Sequence, residues 1–380
     1  MSERAHLGFL GGGQLARMSI QAAQRMGLDC LSLDPSADSC SSQIAPSLVG
    51  SLSDPKAIAE LMYKSEKVTL ENEFIPAQAL RQACVLANFH EGNIVPSIDT
   101  LATIQDKFAQ RAALTKAGVP SPKAFRIDSD LPFPVVLKSR FGGYDGKGTR
   151  YARTRKEFDE LRPVWDEPFT FDESQPGWYA EEFVSFRREL AVMVYRSPSV
   201  TGAYPTMETV QTNHVCDLVY PANVDASDIA IAAVEAVQGY GLFGAELFED
   251  QNGNISVNEI APRPHNTGHY TLDWGGISQF EMHMRLAMGF PVPAQMEGNP
   301  VCMANLLSPS LHAGRGPGGE VKFDLPAAIS RGLTIPGTHV HWYGKSPRPG
   351  RKVGHINATQ GDIKEAAIQA RVLFWKGQTD

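Results

Sequence analysis

The sequence predicts an α/β fold, α+β overall, in which an N-terminal parallel sheet precedes a small domain and then a larger one. The first hundred residues alternate strand and helix patterns, residues 138–148 form a glycine-rich segment after a short apolar run, and the chain beyond residue 185 is rich in strand patterns. We therefore expect three domains, at residues 1–100, 101–185 and 186–380.

The first region opens with a strand–helix–strand pattern. The predicted elements are a strand at residues 6–10, a helix at 14–26 that ends at Gly27, and a second strand at 28–33. Asp54 and Pro55 suit the N-cap and the first position of another helix, which precedes a strand at 67–71. Strands that alternate with helices in this way form a doubly wound parallel sheet.

The second region begins with a segment that we expect to form one helix after Ser97, running through Lys107 to Lys116 and closed by Gly118 and Pro120. The apolar run at residues 134–138 predicts a strand. A further strand is expected at residues 178–184, which include two adjacent glutamates.

The composition excludes several functional classes. With 380 residues, 42% of them hydrophobic, the chain can bury large cores in two or three domains. A net charge of −7 argues against general binding of nucleic acid or anionic membranes. Five scattered cysteines disfavour a disulfide framework or a zinc site, because no Cys-x-x-Cys pair occurs. Without an export signal or a long apolar run, we expect a cytoplasmic protein.

The glycine-rich segment at residues 138–148 is the most informative part of the chain. Lys138 ends the predicted strand, and the following loop contains Lys147 among four glycines. Glycines let backbone N–H groups turn toward an anion while the lysines supply positive charge, so the loop can wrap phosphates. It is not a Walker A loop, because Gly148 and not Ser or Thr follows Lys147. A glycine-rich hairpin over ATP fits better, and an ordinary surface turn is the alternative.

The amino terminus permits a second interpretation. Residues 11–16 match the pattern G-x-G-x-x-A between a strand and a helix, and Asp34 ends the second strand. This arrangement is typical of nicotinamide-binding oxidoreductases. The same loop could equally hold a single phosphate at the helix N-terminus, and a dinucleotide site would leave the distant lysines and glutamates unexplained.

A third motif is a predicted hairpin with two carboxylates. Residues 252–253 are Asn-Gly, the strongest short hairpin signal, between two apolar strands. If they form a two-residue loop, counting outward by equal steps puts Glu246 opposite Glu259. Carboxylates so paired, about 5 Å apart at Cβ, repel each other unless a cation such as Mg²⁺ or solvent lies between them. A solvated acidic hairpin is the alternative.

Two polar loops follow. Residues 261–270 are dense in hydrogen-bond donors directly after Glu259, where a substrate is expected. Residues 345–355 place several cations on a loop shaped by proline and glycine, which suits a phosphate monoester; a solvated basic turn is the alternative.

Together these motifs resemble ATP-grasp ligases, and among them the N5-carboxyaminoimidazole ribonucleotide synthase family of purine biosynthesis. The resemblance spans nearly the whole chain, at residues 11–15, 142–148, 181–184, 258–266 and 350–355. It implies an N-terminal substrate domain, a small lid, a larger C-terminal domain, ATP and Mg²⁺ as cofactors, and a homodimer.

The resemblance also implies roles for individual residues. For ATP it implies Lys107, Lys138, Gly143, Tyr144, Asp145, Gly146, Lys147, Gly148, Thr149, Glu181, Glu182, Phe183, Val184, Glu189, Gln211, Asn258 and Glu259. For Mg²⁺ it implies Glu246 and Glu259, and for aminoimidazole ribonucleotide Gln14, Leu15, Tyr144, Asp145, Arg263, His265, Asn266, Lys345 and Arg351. Among these, Tyr144, Asp145, Arg263 and Lys345 are the expected catalytic residues. Gln211 stands where many relatives have histidine and Lys107 where many have arginine; both replacements keep a donor.

The implied reaction converts ATP and bicarbonate to ADP and carboxyphosphate, followed by carboxyl transfer to the exocyclic amine of the ribonucleotide. Asp145 is the candidate for positioning or deprotonating that amine, and a turn aspartate that bonds its own loop is the alternative. A related ATP-grasp enzyme that transfers formate or carboxylates biotin would differ in residues 263–266. A nicotinamide oxidoreductase would bind NAD(P)H at residues 11–16.

Overall fold

The computed structural model describes residues 4–127, 130–143, 148–161, 177–212, 214–309 and 323–377. The described strands are β1 Ala5–Leu10, β2 Cys30–Asp34, β3 Ser47–Val49, β4 Ser65–Leu70, β5 Ile94–Val95, β6 Ala124–Phe125, β7 Val135–Ser139, β8 Thr149–Ala152, β9 Trp178–Glu182, β10 Phe186–Arg196, β11 Thr201–Ala203, β12 Met207–Thr212, β13 Val215–Pro221, β14 Gly241–Asp250, β15 Ile255–Ala261, β16 Cys302–Leu307, β17 Thr338–Trp342 and β18 Lys352–Ala358.

The described α-helices are α1 Gln14–Arg25, α2 Pro55–Tyr63, α3 Ala77–Ala87, α4 Ile98–Gln105, α5 Lys107–Lys116, α6 Arg155–Glu160, α7 Ser227–Ala236, α8 Gln279–Met288, α9 Leu325–Gly332 and α10 Ile363–Trp375. None of these helices combines the length and the apolar character needed to span a bilayer. Short 3₁₀ segments occur at Glu91–Asn93 and Asn266–Leu272.

The first region is a parallel sheet, as predicted, and its strand order is β3-β2-β1-β4-β5. Successive side chains of a strand point to opposite faces, so β1 contributes to two cores. Leu10 packs with residues of α2, α3 and α4 on one face, whereas Leu7 and Phe9 pack with α1 and α8 on the other. The sheet is therefore covered by helices on both faces, and one of those helices, α8, comes from much later in the chain.

The single helix predicted between Ser97 and Lys116 is wrong, because the chain forms α4 and α5 with a break at Asp106. Asp106 has an extended backbone, and its carboxylate accepts hydrogen bonds from the N–H groups of Phe108 and Ala109. The same carboxylate accepts from Arg140 Nε at 2.9 Å. A capping side chain with a second partner outside the helix stabilises a new helix start at this point.

Two antiparallel sheets make up the rest of the fold. The smaller has the order β6-β9-β7-β8 and a core that includes Leu137, Phe158 and Trp178. The larger has nine strands among the described residues, in the order β15-β14-β10-β12-β13-β16-β18-β17, with β11 beside β10. Helix α7 packs on one face of the large sheet and α8 near the other. The expected α/β fold with a parallel N-terminal sheet is confirmed, and two antiparallel sheets follow that sheet.

The β14–β15 hairpin pairs Glu246 with Glu259, as predicted, but for a different reason. The loop has three residues, because Asp250 N–H donates to Asn254 O at 3.0 Å and Gly253 adopts a φ of +83°. The register then shifts by one residue between Glu246 and Leu247, where β15 has the extra residue Asn258. The longer loop and the bulge cancel, so the expected two-residue turn is wrong while the expected partners are right.

Candidate active site

A cleft of about 1040 Å³ lies between the three sheets. The predicted site residues that line it are Gln14, Leu15, Lys107, Lys138, Gly143, Thr149, Glu181, Glu182, Phe183, Val184, Glu189, Gln211, Glu246, Asn258, Glu259, Arg263, His265 and Asn266. Tyr144, Asp145, Gly146 and Lys147 lie outside the described residues. Gly148, Lys345 and Arg351 are described but do not line the cleft.

The opposed glutamates lie inside this cleft, surrounded by nitrogen donors. Lys107 Nζ is 2.6 Å from Glu259 Oε2, and His265 Nε2 is 3.3 Å from Glu246 Oε1. Burial, together with Glu259 and Glu189, raises the pKa of Glu246 to about 7. Burial also acts to raise the pKa of Glu259, but Lys107 outweighs it and the pKa is lowered. Two crowded carboxylates whose charges disfavour each other form a donor set that fits a hard divalent cation.

The bulge at Asn258 explains how neighbouring side chains reach the same cleft. In a regular strand, consecutive side chains point to opposite faces, yet Asn258 and Glu259 both line the cleft. Asn258 Oδ1 accepts a hydrogen bond from Lys138 Nζ at 3.1 Å. The bulge therefore adds an amide oxygen beside the two carboxylates.

A buried ion cluster connects the small sheet with the hairpin. Glu181 Oε2 is 2.8 Å from Lys138 Nζ, and Glu181 Oε1 accepts from Arg111 and from the Tyr179 hydroxyl at 2.6 Å. Burial acts to raise the pKa of Glu181, but Lys138 and Arg111 hold it at about 2. Arg111 also donates to the backbone oxygens of Val257 and Asn258, both at 2.7 Å. The Glu181 side chain is thus committed to cations that fix the position of the bulge.

The cleft also has an aromatic wall. Phe186 and Phe248 stack with their ring centroids 4.6 Å apart, and Phe186 is 42% exposed. Phe183, 44% exposed, meets Tyr151 edge to face. Exposed rings inside a polar cleft suit a flat, partly apolar ligand group such as a purine base.

Near this wall, Glu189 and Gln211 interact through their side chains, and burial raises the pKa of Glu189. His214, in the adjoining turn with a φ of +63°, lines the same part of the cleft. Gln211 therefore contacts Glu189, which is itself a predicted ATP residue.

The loop after β15 is held by residues from other parts of the chain. Arg263 donates to both carboxylate oxygens of Glu73, at 2.8 Å for the Nη2 contact. The Asn266 and Asn305 side chains exchange two hydrogen bonds, at 3.1 and 2.6 Å. Three predicted substrate residues, Arg263, His265 and Asn266, thus line one end of the cleft in fixed positions.

The start of α1 disagrees with the dinucleotide interpretation. The Glu71 carboxylate accepts from the backbone N–H of Leu15, and a Cβ atom at Gly13 would lie 2.3 Å from Glu71 Oε1. A carboxylate therefore already occupies the anion position at this helix N-terminus. Asp34 accepts from the N–H groups of Gly12 at 2.7 Å and Ser36 at 2.8 Å, so its oxygens serve the loop itself.

The predicted phosphate residues lie beside the cleft. Lys345 donates to Gln14 Oε1, and its Nζ is 5.9 Å from the centroid of the Tyr343 ring. Burial lowers the pKa of Lys345. Arg351 donates to the backbone oxygen of Ser346 at 3.2 Å. Gln14 is therefore the residue that connects Lys345 to the cleft lining.

Sequence reasoning missed several residues of this site. Arg111 lies one helical turn after Lys107 on α5, so helical spacing could have suggested it. Glu71 ends the predicted strand at 67–71 and Glu73 comes two residues later, where the carboxyl ends of parallel strands commonly carry ligand residues. The aromatic pair of Phe186 and Phe248 had no comparable local signal.

Comparison with known proteins agrees with this geometry. Residues 4–105 match the ribonucleotide synthetase preATP-grasp domain, 117–280 the ATP-grasp domain, and 301–369 the phosphoribosylaminoimidazole carboxylase C-terminal domain. The phosphoribosylaminoimidazole carboxylase of Ogataea methanolica is 36% identical over 398 residues, which cover 98% of this chain and 69% of that protein.

Two further relatives match the chain over most of their length. The N5-carboxyaminoimidazole ribonucleotide synthase of Mycobacterium tuberculosis (strain H37Rv) is 36% identical over 388 residues, covering 96% of this chain and 85% of that protein. The crystal structure of N5-carboxyaminoimidazole synthase from Aspergillus clavatus with ADP and 5-aminoimidazole ribonucleotide has a TM-score of 0.81 and 30% identity, covering 98% of both chains. This chain therefore belongs to the N5-carboxyaminoimidazole ribonucleotide synthase family of ATP-grasp ligases.

Proposed function

We propose that this protein catalyses the ATP- and bicarbonate-dependent carboxylation of 5-aminoimidazole ribonucleotide to N5-carboxyaminoimidazole ribonucleotide, by way of carboxyphosphate. The observation that carries the proposal is one cleft that combines the opposed pair Glu246 and Glu259, the lysines Lys107 and Lys138, and the donor loop at 263–266. Phosphoryl transfer needs the carboxylate pair and the lysines, and binding of an anionic second substrate needs the hydrogen-bond donors of the loop.

The aromatic wall and the two lysines support nucleotide binding at one end of the cleft. Phe183, Phe186 and Val184 offer an apolar surface for the base. Lys107 and Lys138 are partly buried donors, and each pairs with a carboxylate that a phosphate oxygen could join.

Glu246, Glu259 and Asn258 are the residues that would hold Mg²⁺, because all three line the same cleft and the two carboxylates disfavour each other's charge. When bound, the ion supplies positive charge to the phosphate oxygens. Lys107 Nζ, 2.6 Å from Glu259 Oε2, offsets part of the negative charge at this position, whereas His265 lies beside Glu246 as a neutral ring.

The ribonucleotide end is assigned to Gln14, Leu15, Arg263, His265 and Asn266, with Lys345 and Arg351 for the phosphate. Tyr144 and Asp145, outside the described residues, remain proposals for the reacting amine. A lid that closes over the cleft would keep water from the short-lived carboxyphosphate.

Further proposals follow from the resemblance. They are a division into three domains at residues 1–100, 101–185 and 186–380, bicarbonate as the carboxyl source, a homodimer, and a cytoplasmic location. Gel filtration at several protein concentrations tests the dimer.

Phosphate release with and without aminoimidazole ribonucleotide tests the proposed function. With ATP, Mg²⁺ and bicarbonate present, we expect release to depend on the ribonucleotide and to match its consumption one for one. Equal release without the ribonucleotide would contradict the assignment. Stimulation by biotin, or by formate with another ribonucleotide, would favour the related ATP-grasp enzymes.

A further inference from the structure

The segment from Glu259 to His265 carries both halves of the proposed site, and two buried glutamines hold its backbone. Gln279, at the start of α8, has no exposed surface. Its Oε1 accepts from His265 N–H at 2.9 Å, and its Nε2 donates to His265 O at 2.9 Å. The side-chain amide thus pairs with His265 as a neighbouring strand would.

Gln279 is fixed in this orientation by further contacts. Its Nε2 also lies 2.8 Å from His269 Nδ1, so both amide hydrogens have acceptors. Its own backbone N–H donates to Thr271 Oγ1 at 2.9 Å. A Cβ atom at Gly268 would lie 2.5 Å from Gln279 Oε1, so only glycine leaves room for the carboxamide there.

The imidazole of His265 depends on this backbone position. Its Nδ1 is 2.9 Å from Thr267 Oγ1, and its Nε2 is 3.3 Å from Glu246 Oε1. A Cβ atom at Gly244 would lie 2.6 Å from His265 Cβ, so the ring packs directly against β14. A small backbone shift at His265 would therefore change both contacts of the ring.

Helix α8 gives Gln279 a rigid base. Phe280 packs with Leu15 of α1 and with Tyr343, next to Lys345. His283 Nε2 is 2.9 Å from Thr69 Oγ1 of β4. The helix that carries Gln279 thus contacts both the parallel sheet and the segment beside the predicted phosphate residues.

Gln110 provides the matching case at the other end of the segment. It is 4% exposed, accepts from Ile260 N–H at 3.0 Å and donates to Ile260 O at 3.3 Å. Ile260 follows Glu259, at the nucleotide end. The same residue type therefore braces the backbone in the same way at two positions five residues apart.

We propose that Gln279 is a positioning residue for the ribonucleotide half of the site, acting through the backbone of His265. This inference rests on the proposed function for its substrate, and Gln110 acts in the same manner for Glu259 and the nucleotide half. Neither glutamine lines the cleft.

Steady-state kinetics of Gln279→Met and Gln110→Met test the proposal, because methionine keeps the volume but removes both amide contacts. For Gln279→Met we expect kcat/KM for the ribonucleotide to fall on the order of tenfold to a hundredfold, with ATP affinity by calorimetry unchanged. For Gln110→Met we expect ATP affinity to fall. Met282→Ala, which removes buried apolar volume from the same helix, should lower the melting temperature without either selective effect.

Two additional measurements keep the test decisive. Gly268→Ala retains Gln279 but displaces its carboxamide, so it should reproduce the loss even if Gln279→Met folds poorly. In protein labelled with ¹⁵N-histidine, and assigned with His265→Gln, the His265 ring resonances should move in Gln279→Met and stay in Gln110→Met.

Unchanged ribonucleotide kinetics in both Gln279→Met and Gly268→Ala would overturn the proposal. The proposal would also be overturned if Gln279→Met lost ATP affinity and ribonucleotide kcat/KM to the same extent, and if that loss matched its fall in melting temperature as in Met282→Ala. If the wild type shows no ribonucleotide-dependent release, the proposed function fails, and the His265 resonances still decide whether Gln279 positions that ring.

Discussion

At the scale of single residues, the cleft is organised around charges that the protein only partly balances. Glu259 has Lys107 at 2.6 Å, whereas Glu246 has a neutral histidine at 3.3 Å and a pKa raised to about 7. Burial lowers the pKa of that histidine, His265, to about 3, with Arg263 and Lys352 adding to the effect. Glu246 is therefore the carboxylate that most needs a cation.

Glu246→Gln and Glu259→Gln should each reduce ATP turnover on the order of a hundredfold or more, because each removes a negative oxygen ligand but keeps its shape. The folded pKa of Glu246, about 7, lies above its ordinary value of 4.5, so its charge costs stability as pH rises through that interval. Glu246→Gln should therefore be at least as thermally stable as the wild type at pH 8.

Phosphate release and thermal melting check this prediction. Asp250→Asn, at the turn of the same hairpin and away from the cleft, is the control and should keep its activity. Near-normal release in both glutamine variants would remove the metal assignment.

Lys345→Ala and Arg351→Ala should raise the KM for the ribonucleotide far more than the KM for ATP. Charge-assisted hydrogen bonds contribute about 1.5–3 kcal/mol, which corresponds to an increase of roughly tenfold to a hundredfold. Arg348→Ala changes an exposed arginine of the same turn and serves as the control. Similar increases for both substrates would mean that the turn is structural or contacts ATP.

At the scale of elements, local breaks in regular structure place the site residues. The bulge at Asn258 directs two neighbouring side chains into the cleft, and the break at Asp106 starts the helix that carries Lys107 and Arg111. A side chain from another element holds each break. Arg111 donates to the backbone oxygen of Asn258 at the bulge, and Arg140 donates to the carboxylate of Asp106 at the helix start.

Asp106→Ala should lower the free energy of unfolding by about 1–3 kcal/mol, because it removes both the cap of α5 and a charged partner of Arg140. Asp106→Asn retains a capping oxygen and should lose less. Urea unfolding measures both values. Equal stability of the two variants would mean that the cap contributes little, and unchanged ATP kinetics in Asp106→Ala would show that Lys107 is positioned otherwise.

At the scale of the whole molecule, α8 connects the parallel sheet to the large sheet through a buried histidine. Thr69 Oγ1 donates to Val95 O at 2.7 Å, so His283 Nε2–H donates to Thr69 Oγ1 at 2.9 Å. Burial lowers the pKa of His283 from 6.5 to about 3. The folded protein therefore keeps this ring neutral at a pH where the unfolded chain protonates it.

Stability should fall as the pH decreases from 6.5 toward 3, since the unfolded state binds more protons in this interval. His283 alone contributes a slope of about 1.4 kcal/mol per pH unit. In His283→Gln the amide can still donate to Thr69. The slope of the unfolding free energy against pH should then be smaller by that amount, as measured by urea unfolding between about pH 6 and about pH 4.5. An unchanged slope would place the acid sensitivity elsewhere, for example at the buried His269 and His355.

Much of this fold could be predicted from local sequence patterns. Apolar periodicity and turn residues predicted the parallel sheet and the strand before the glycine loop, whereas the predicted pairing of Glu246 with Glu259 is right only because the longer loop and the bulge cancel. The motifs also indicated the family. The strands and helices of these regions depend on residues close together in sequence, so local physics determines them.

The tertiary structure alone decided how the site is built. Arg140 bonds Asp106 across 34 positions, Arg111 bonds the bulge at Asn258 across 147, and Arg263 bonds Glu73 across 190. Glu71 reaches the start of α1 only because β1 and β4 are neighbours in the sheet. No local pattern encodes such pairs, because a side chain's partner is set by which elements the folded chain brings together.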